Sequence, residues 1–167
     1  MKNLFLVLFL SAAGFATAVH SQSPYAGDES REIKSLSRSE IDGYLQGHGM
    51  GYAKAAELNH YPGPRHVLDL AKELVLTDEQ IRQTQAIFER MQENAVAFGK
   101  QLVEKEAELD RKFADGSIDA TSLDALVSDI AMREAKVRFA HLSAHLEQTA
   151  LLSEKQIQLY DNFRGYN

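Results

Sequence analysis

Residues 76–113 read LTDEQIRQTQAIFERMQENAVAFGKQLVEKEAELDRKF. Thr77 and Gln80 stand at capping-box spacing, where the hydroxyl takes an amide of the first turn and the glutamine reaches back to the amide of the cap. Leu76, just before the cap, staples the entry. From there Ile81, Phe88, Ala95, Leu102 and Leu109 recur every seven residues, with Met91 and Phe98 between them. That is a helical seam at coiled-coil spacing. It persists to Phe113 and stops at Gly116, so about 37 residues at about 1.5 Å each give a rod of roughly 55 Å.

Thr121-Ser122-Leu123-Asp124 opens a return helix whose apolar positions are Leu123, Val127, Ile130, Val137 and Leu146. The connection over 114–120 is short, so antiparallel packing is expected. With the turn near residue 118, His141 and His145 fall level with Ala95 and Met91. Leu152-Ser153-Glu154-Lys155-Gln156-Ile157 then repeats the phrase Leu76-Thr77-Asp78-Glu79-Gln80-Ile81, and starts a last helix ending near Arg164-Gly165.

Upstream, Pro64 suits the first turn of a helix over 64–74. Ser37 and Glu40 cap a short helix over 38–46, and Gly47, Gly49 and Gly51 interrupt it before a second one over 51–58. Residues 19–36 are polar and mixed, and read as a mobile leader. No alternating β-branched run argues for a sheet. The expected fold is all-α, a long antiparallel helical hairpin with short flanking helices, in three parts: 1–18, a polar leader with a glycine hinge over 19–63, and the hairpin domain over 64–167.

The first part has a secretory pattern: Lys2, an apolar run from Leu4 to Leu10, and small residues closing on Ala16-Thr17-Ala18, where cleavage is expected. The run is far short of the roughly 20 residues that span a bilayer. Nothing later is apolar for long enough to cross one. There is no cysteine, which excludes disulfides, thiol chemistry and cysteine zinc sites. Acidic residues outnumber basic ones 24 to 18. Without a basic footprint nucleic acid is not an expected partner.

Two copies of the Leu-Thr/Ser-x-x-Gln phrase flanking a long hairpin, behind an export signal and without cysteine, resemble the Spy/CpxP family and the related CnrX- and ZraP-like heavy-metal-resistance sensors. Leu76, Thr77, Gln80, Leu152, Ser153 and Gln156 carry the resemblance, which covers about 64–164. It implies a four-helix, hairpin-shaped, periplasmic protein without a catalytic centre, often a homodimer. Some members hold unfolded client proteins without ATP; others bind metals or pass envelope-stress signals to a membrane-bound partner.

The candidate site is a metal site. His141 and His145 lie four residues apart, on one face of the return helix and close enough to share a cation. Glu89, Met91 and, from the preceding helix, His66 are the expected companions, a set suited to zinc, nickel or copper. The bland alternative is that both histidines are polar residues of the helical seam. The His-x-x-x-Met pair of the CnrX-like sensors falls nearest Ala144 and Gln148, neither of them a ligand of that kind, so the sensor site does not carry over. The His-x-x-x-His spacing lacks the glutamate of a zinc protease, Leu142 standing in its place. The glycines at 47, 49 and 51 lack the strand and lysine of a phosphate loop. His48, Met50 and His60 near them suggest a second, softer cation site. Glu104, Glu106, Glu108 and Asp110 read as a solvated face.

Overall fold

The computed structural model describes residues 23–166 and is all-α, with no strand among them. The signal sequence expected over 1–18 lies outside the described residues. After a 3-10 turn at Asp28–Ser30 come α1 (Arg38–Leu45), α2 (Lys54–Glu57), α3 (Pro64–Asp69), α4 (Asp78–Ala114), α5 (Ala120–Leu151) and α6 (Glu154–Arg164). The two long helices pack along each other as an antiparallel hairpin, α1 and α3 lie against α4, and α2 touches α5. No helix among the described residues is long and apolar enough to cross a membrane.

The starts of α4, α5 and α6 have a local chemical cause. Thr77 Oγ1 accepts from the Gln80 amide at 3.1 Å while Gln80 Oε1 accepts from the Thr77 amide at 3.1 Å. Ser153 and Gln156 repeat the arrangement. The return helix starts slightly earlier than Thr121: Asp119 is its cap, accepting from the Ser122 amide at 2.7 Å. A carboxylate there also meets the positive end of the helix. α2 and α3 are shorter than the apolar spacing predicts. α3 gives way to turns after Asp69, and Val75 takes a left-handed conformation (φ 51°) that swings the chain into Leu76.

The buried stripe of α4 is Thr84, Ile87, Met91, Ala95, Gly99 and Leu102. Ile81, read as the first position of the seam, stays at the surface. A straight helix drifts by about 20° per seven residues, so a strict sevenfold reading loses the interface over a long rod. On α5 the correction is larger. Val137 is buried as expected, but Val127 and Leu146 are exposed, and the stripe is Leu126, Val137, Ala140, His141, Ala144, His145 and Gln148. Small and polar residues thus face α4, while bulkier apolar ones turn outward. Arg133 donates to Gln101 at 2.9 Å, and Arg90 pairs with Glu147. These contacts keep the two helices close to the register expected from a turn near residue 118.

Where the hairpin opens, the two copies of the repeated phrase meet. Gln80 Nε2 donates to Gln156 Oε1 at 3.0 Å, and Gln156 Nε2 donates back to Gln80 Oε1 at 3.1 Å. Each carboxamide also reaches a carbonyl beside the other phrase, Gln80 that of Leu151 at 3.1 Å and Gln156 that of Leu74 at 3.3 Å. Val67, Leu74, Leu152 and Tyr160 form the apolar cluster around this cross-tie, joined by Leu70, Leu76 and Ile157. The motif glutamines therefore cap two helices and fasten them together.

The segment read as a mobile leader is docked from Ile33 onward. Ile33, Leu36 and Ile41 are buried with Tyr44, Val103 and Ala107. Lys34 pairs with Asp110 at 3.0 Å and Ser35 donates to Glu106 at 2.7 Å, so two acids of the supposed solvated face hold the leader instead. The close seat of α1 depends on Gly99, where a Cβ would come within 2.4 Å of the Tyr44 carbonyl oxygen. Gly47 is likewise positional as well as flexible: its φ is 64°, and Val96 and Gln92 of α4 crowd the place of a side chain.

Candidate functional site

α5 carries His141 and His145 on its buried stripe, one turn apart, and both are almost wholly shielded, at 3% and 6% exposure. They wall a cavity of about 590 Å³ that opens between the leader and the hairpin. His48, Met50, Glu57, His66 and Met91 also line it. The leader therefore supplies part of the site, which the reading of the sequence had placed wholly in the hairpin domain.

The two imidazoles are held differently. His145 Nδ1 lies 2.8 Å from the Tyr61 carbonyl oxygen. A carbonyl can only accept, so Nδ1 carries a proton, which in the neutral ring leaves Nε2 as the atom able to take a ligand. Gly63 makes room for the ring: a Cβ there would come within 2.9 Å of His145 Cε1. His141 stacks on Tyr52, with ring centroids 6.4 Å apart and planes within 13°. Its Nε2 is buried and has no hydrogen-bond partner. Burial, then the charge of His145, pushes the His141 pKa below its ordinary value, against a smaller upward pull from the His48 backbone. His141 is thus a neutral imidazole near neutral pH.

Glu57 is the acidic residue of the wall. Its Oε1 accepts from the Tyr160 and Tyr166 hydroxyls and lies 3.3 Å from Arg164 Nε, while Oε2 lies 3.7 Å from His145 Nδ1. Burial, with the carboxylate beside it, pushes the Tyr160 phenol well up, so it stays a donor. Burial also raises Tyr52, whose hydroxyl pairs with Tyr44 at 2.8 Å and Glu134 at 3.2 Å.

The expected companions divide. Met91 is buried on the wall, and His66 reaches it half-buried, 3.6 Å from Asp69. Glu89 does not join: it is exposed and accepts from Gln85 at 2.9 Å. Two residues along a helix are rotated by about 200°, so Met91 facing the cavity turns Glu89 away. Ala144 and Gln148, the positions of the sensor pair, are sunk in the hairpin seam, where Gln148 donates to Thr84 at 3.2 Å. His48 and Met50 line this cavity and not a second site with His60, which pairs with Asp161 at 2.9 Å. Among the described residues, no three His, Asp or Glu side chains stand together closely enough to hold a cation as they are. Among the groups that line the cavity, the His141 and His145 imidazoles and the Met50 and Met91 thioethers are of the types that bind transition-metal ions.

Glu57, Tyr160 and Tyr61 were missed from sequence. Glu57 carries no local signal, for only the fold brings it to a residue nearly ninety positions away. Comparison of the chain with protein-family models, curated proteins and solved structures returned no match.

Proposed function

We propose that this chain is a non-enzymatic, periplasmic hairpin protein of Spy/CpxP type that binds a transition-metal cation through His141 and His145, in heavy-metal resistance or envelope stress. The observation that carries this reading is the buried, unpartnered Nε2 of His141 one turn from a second imidazole whose tautomer is fixed by Tyr61. A buried polar atom without a partner costs roughly 1–3 kcal/mol, and a bound cation would relieve it. The bound ion would supply a charge that the cavity senses, and His141 and His145 would orient toward it. A homodimer and a membrane-bound signalling partner fit the same reading. Isothermal titration of the full chain with zinc, nickel and copper, beside His141→Ala/His145→Ala, tests it. Binding that is lost in the double variant is expected; equal or absent binding in both proteins overturns it.

A second reading, an ATP-independent chaperone holding unfolded clients, is favoured by a different observation. Val127, Met132, Phe139 and Leu146 are exposed along α5, and Met132, Phe139 and Phe98 line a shallow apolar groove between the long helices. Such a stripe binds apolar segments or a second subunit. Light scattering of an aggregating client without nucleotide separates the two readings. Suppression lost in Phe139→Ser supports the chaperone, and no suppression at several-fold excess removes it.

A further inference from the structure

We infer that the cavity selects a soft monovalent cation, copper(I) or silver(I), and that the Met50 and Met91 thioethers bind it together with His141 and His145. This rests on the metal reading above and names its ion class. Two of the four methionines in the chain reach this one cavity, Met50 from the loop between α1 and α2 and Met91 from the middle of α4. Thioether sulfur is a soft ligand that favours copper(I), and neutral imidazole accepts the same ions.

The charges point the same way. The carboxylate of Glu57 is already held by Tyr160, Tyr166 and Arg164. Lys54, Arg65 and Arg164 bring positive charge to the wall, where Arg164 is paired with Glu57 and Arg65 lies 3.5 Å from Asp69. A doubly charged ion meets twice the repulsion of a singly charged one at the same place. It also gains less from sulfur, so a donor set of thioethers and imidazoles disfavours zinc and nickel.

Met50 is seated for the task in an unusual way. Its φ is 41°, in the left-handed region that non-glycine residues seldom occupy. Its sulfur rests against Gly43 of α1, where a Cβ would come within 2.2 Å of Sδ. Strained backbone of this kind persists where the surroundings over-determine it, and it clusters at ligand clamps. Gly43 acts as a positioning residue: it leaves the space in which the thioether lies. The buried Nε2 of His141, which has no hydrogen-bond partner, gives the site a vacant donor independent of the methionines.

The test titrates the full chain with silver(I), which needs no reductant, and with copper(I) in competition with a chromophoric chelator, against zinc(II) and nickel(II). One silver(I) or copper(I) per chain is expected, about 100-fold tighter than zinc(II). The methyl resonances of Met50 and Met91 move on binding, and that of Met132, in the outer groove, does not. Met50→Leu and Met91→Leu each weaken silver(I) by about tenfold or more and leave any zinc(II) binding unchanged. Gly43→Ala does the same to silver(I) by displacing Met50, and circular dichroism verifies that each variant keeps its helices. Zinc(II) or nickel(II) binding that equals silver(I) and ignores the methionine variants overturns this inference while leaving the metal reading intact. Absence of binding by any of the four ions overturns both.

Discussion

The open end of the hairpin and the cavity beside its middle are both built around shielded polar side chains, partly buried at the one and fully buried at the other, and they treat them in opposite ways. At the open end, both atoms of the Gln80 and Gln156 carboxamides are bonded, to each other, to their caps and to two carbonyls. At the cavity, Glu57 is held by four groups but His141 Nε2 has no partner. A satisfied network rigidifies a fold, whereas an unsatisfied one costs stability and is retained where it serves binding. The open end thus meets its polar atoms in full, while the cavity wall leaves His141 Nε2 free, as the seam does Gln148 Oε1.

The largest effect that would sharpen this contrast is at the open end. Gln156→Leu leaves Gln80, the Leu74 carbonyl and the Ser153 amide short of partners, and a loss of about 2–4 kcal/mol is expected in urea unfolding. Gln80→Leu/Gln156→Leu should cost less than the sum of the two single changes, because each removes the other's partner. Strict additivity would break the picture of one shared network.

Gly99→Ala comes next. Alanine gains about 1 kcal/mol in helix propensity, but its methyl group meets the Tyr44 backbone, which cannot swing aside, and a net loss of about 1–3 kcal/mol is expected. A rise in midpoint would show that α1 is not seated on α4.

The cavity should respond with the reverse sign. His141→Leu removes the unpartnered nitrogen and is expected to leave stability unchanged or raise it by up to about 1 kcal/mol, while abolishing cation binding. A loss as large as that of Gln156→Leu would mean that the two regions do not differ in kind.

The smallest effect is in pH. The folded-state pKa of His141 lies below its usual 6.5, so the unfolded chain binds the proton more readily. Its contribution is fully present above pH 6.5 and is lost as pH falls toward the folded value. Thermal midpoints at pH 7.5 and 5.5 should therefore differ more in the wild-type chain than in His141→Leu. An equal difference in both would assign the acid sensitivity to other groups.

The long helices were legible because their starts are chemical: Thr77 with Gln80 and Ser153 with Gln156 announce themselves at fixed spacing. The seam of α5 was not, because its buried face is made of Ala140, Ala144, His141, His145 and Gln148, residues that hydropathy does not mark as interior. Val127 and Leu146 look like core and are exposed. Of the candidate site, the imidazole pair and Met91 were readable from helical periodicity. Glu57 was not, since its place depends on how the chain folds back between α2 and α3, through Pro62, Gly63 and Pro64, all buried. Glu89 was misplaced by counting distance along the rod without counting rotation around it.

The reciprocal glutamine bond has a consequence for how the molecule opens. α4 and α5 are joined by chain at one end, through Asp115–Asp119, and held at the other by Gln80, which reaches the Leu151 carbonyl at the end of α5 and Gln156 at the start of α6. Amide protons within the clasp should exchange only when several bonds part together, whereas those next to the exposed turn around Gly116 have no such guard. Slow motion of this hairpin would begin at its covalent tip and travel toward its open end, the opposite of the zipper that an unclasped pair of helices would make.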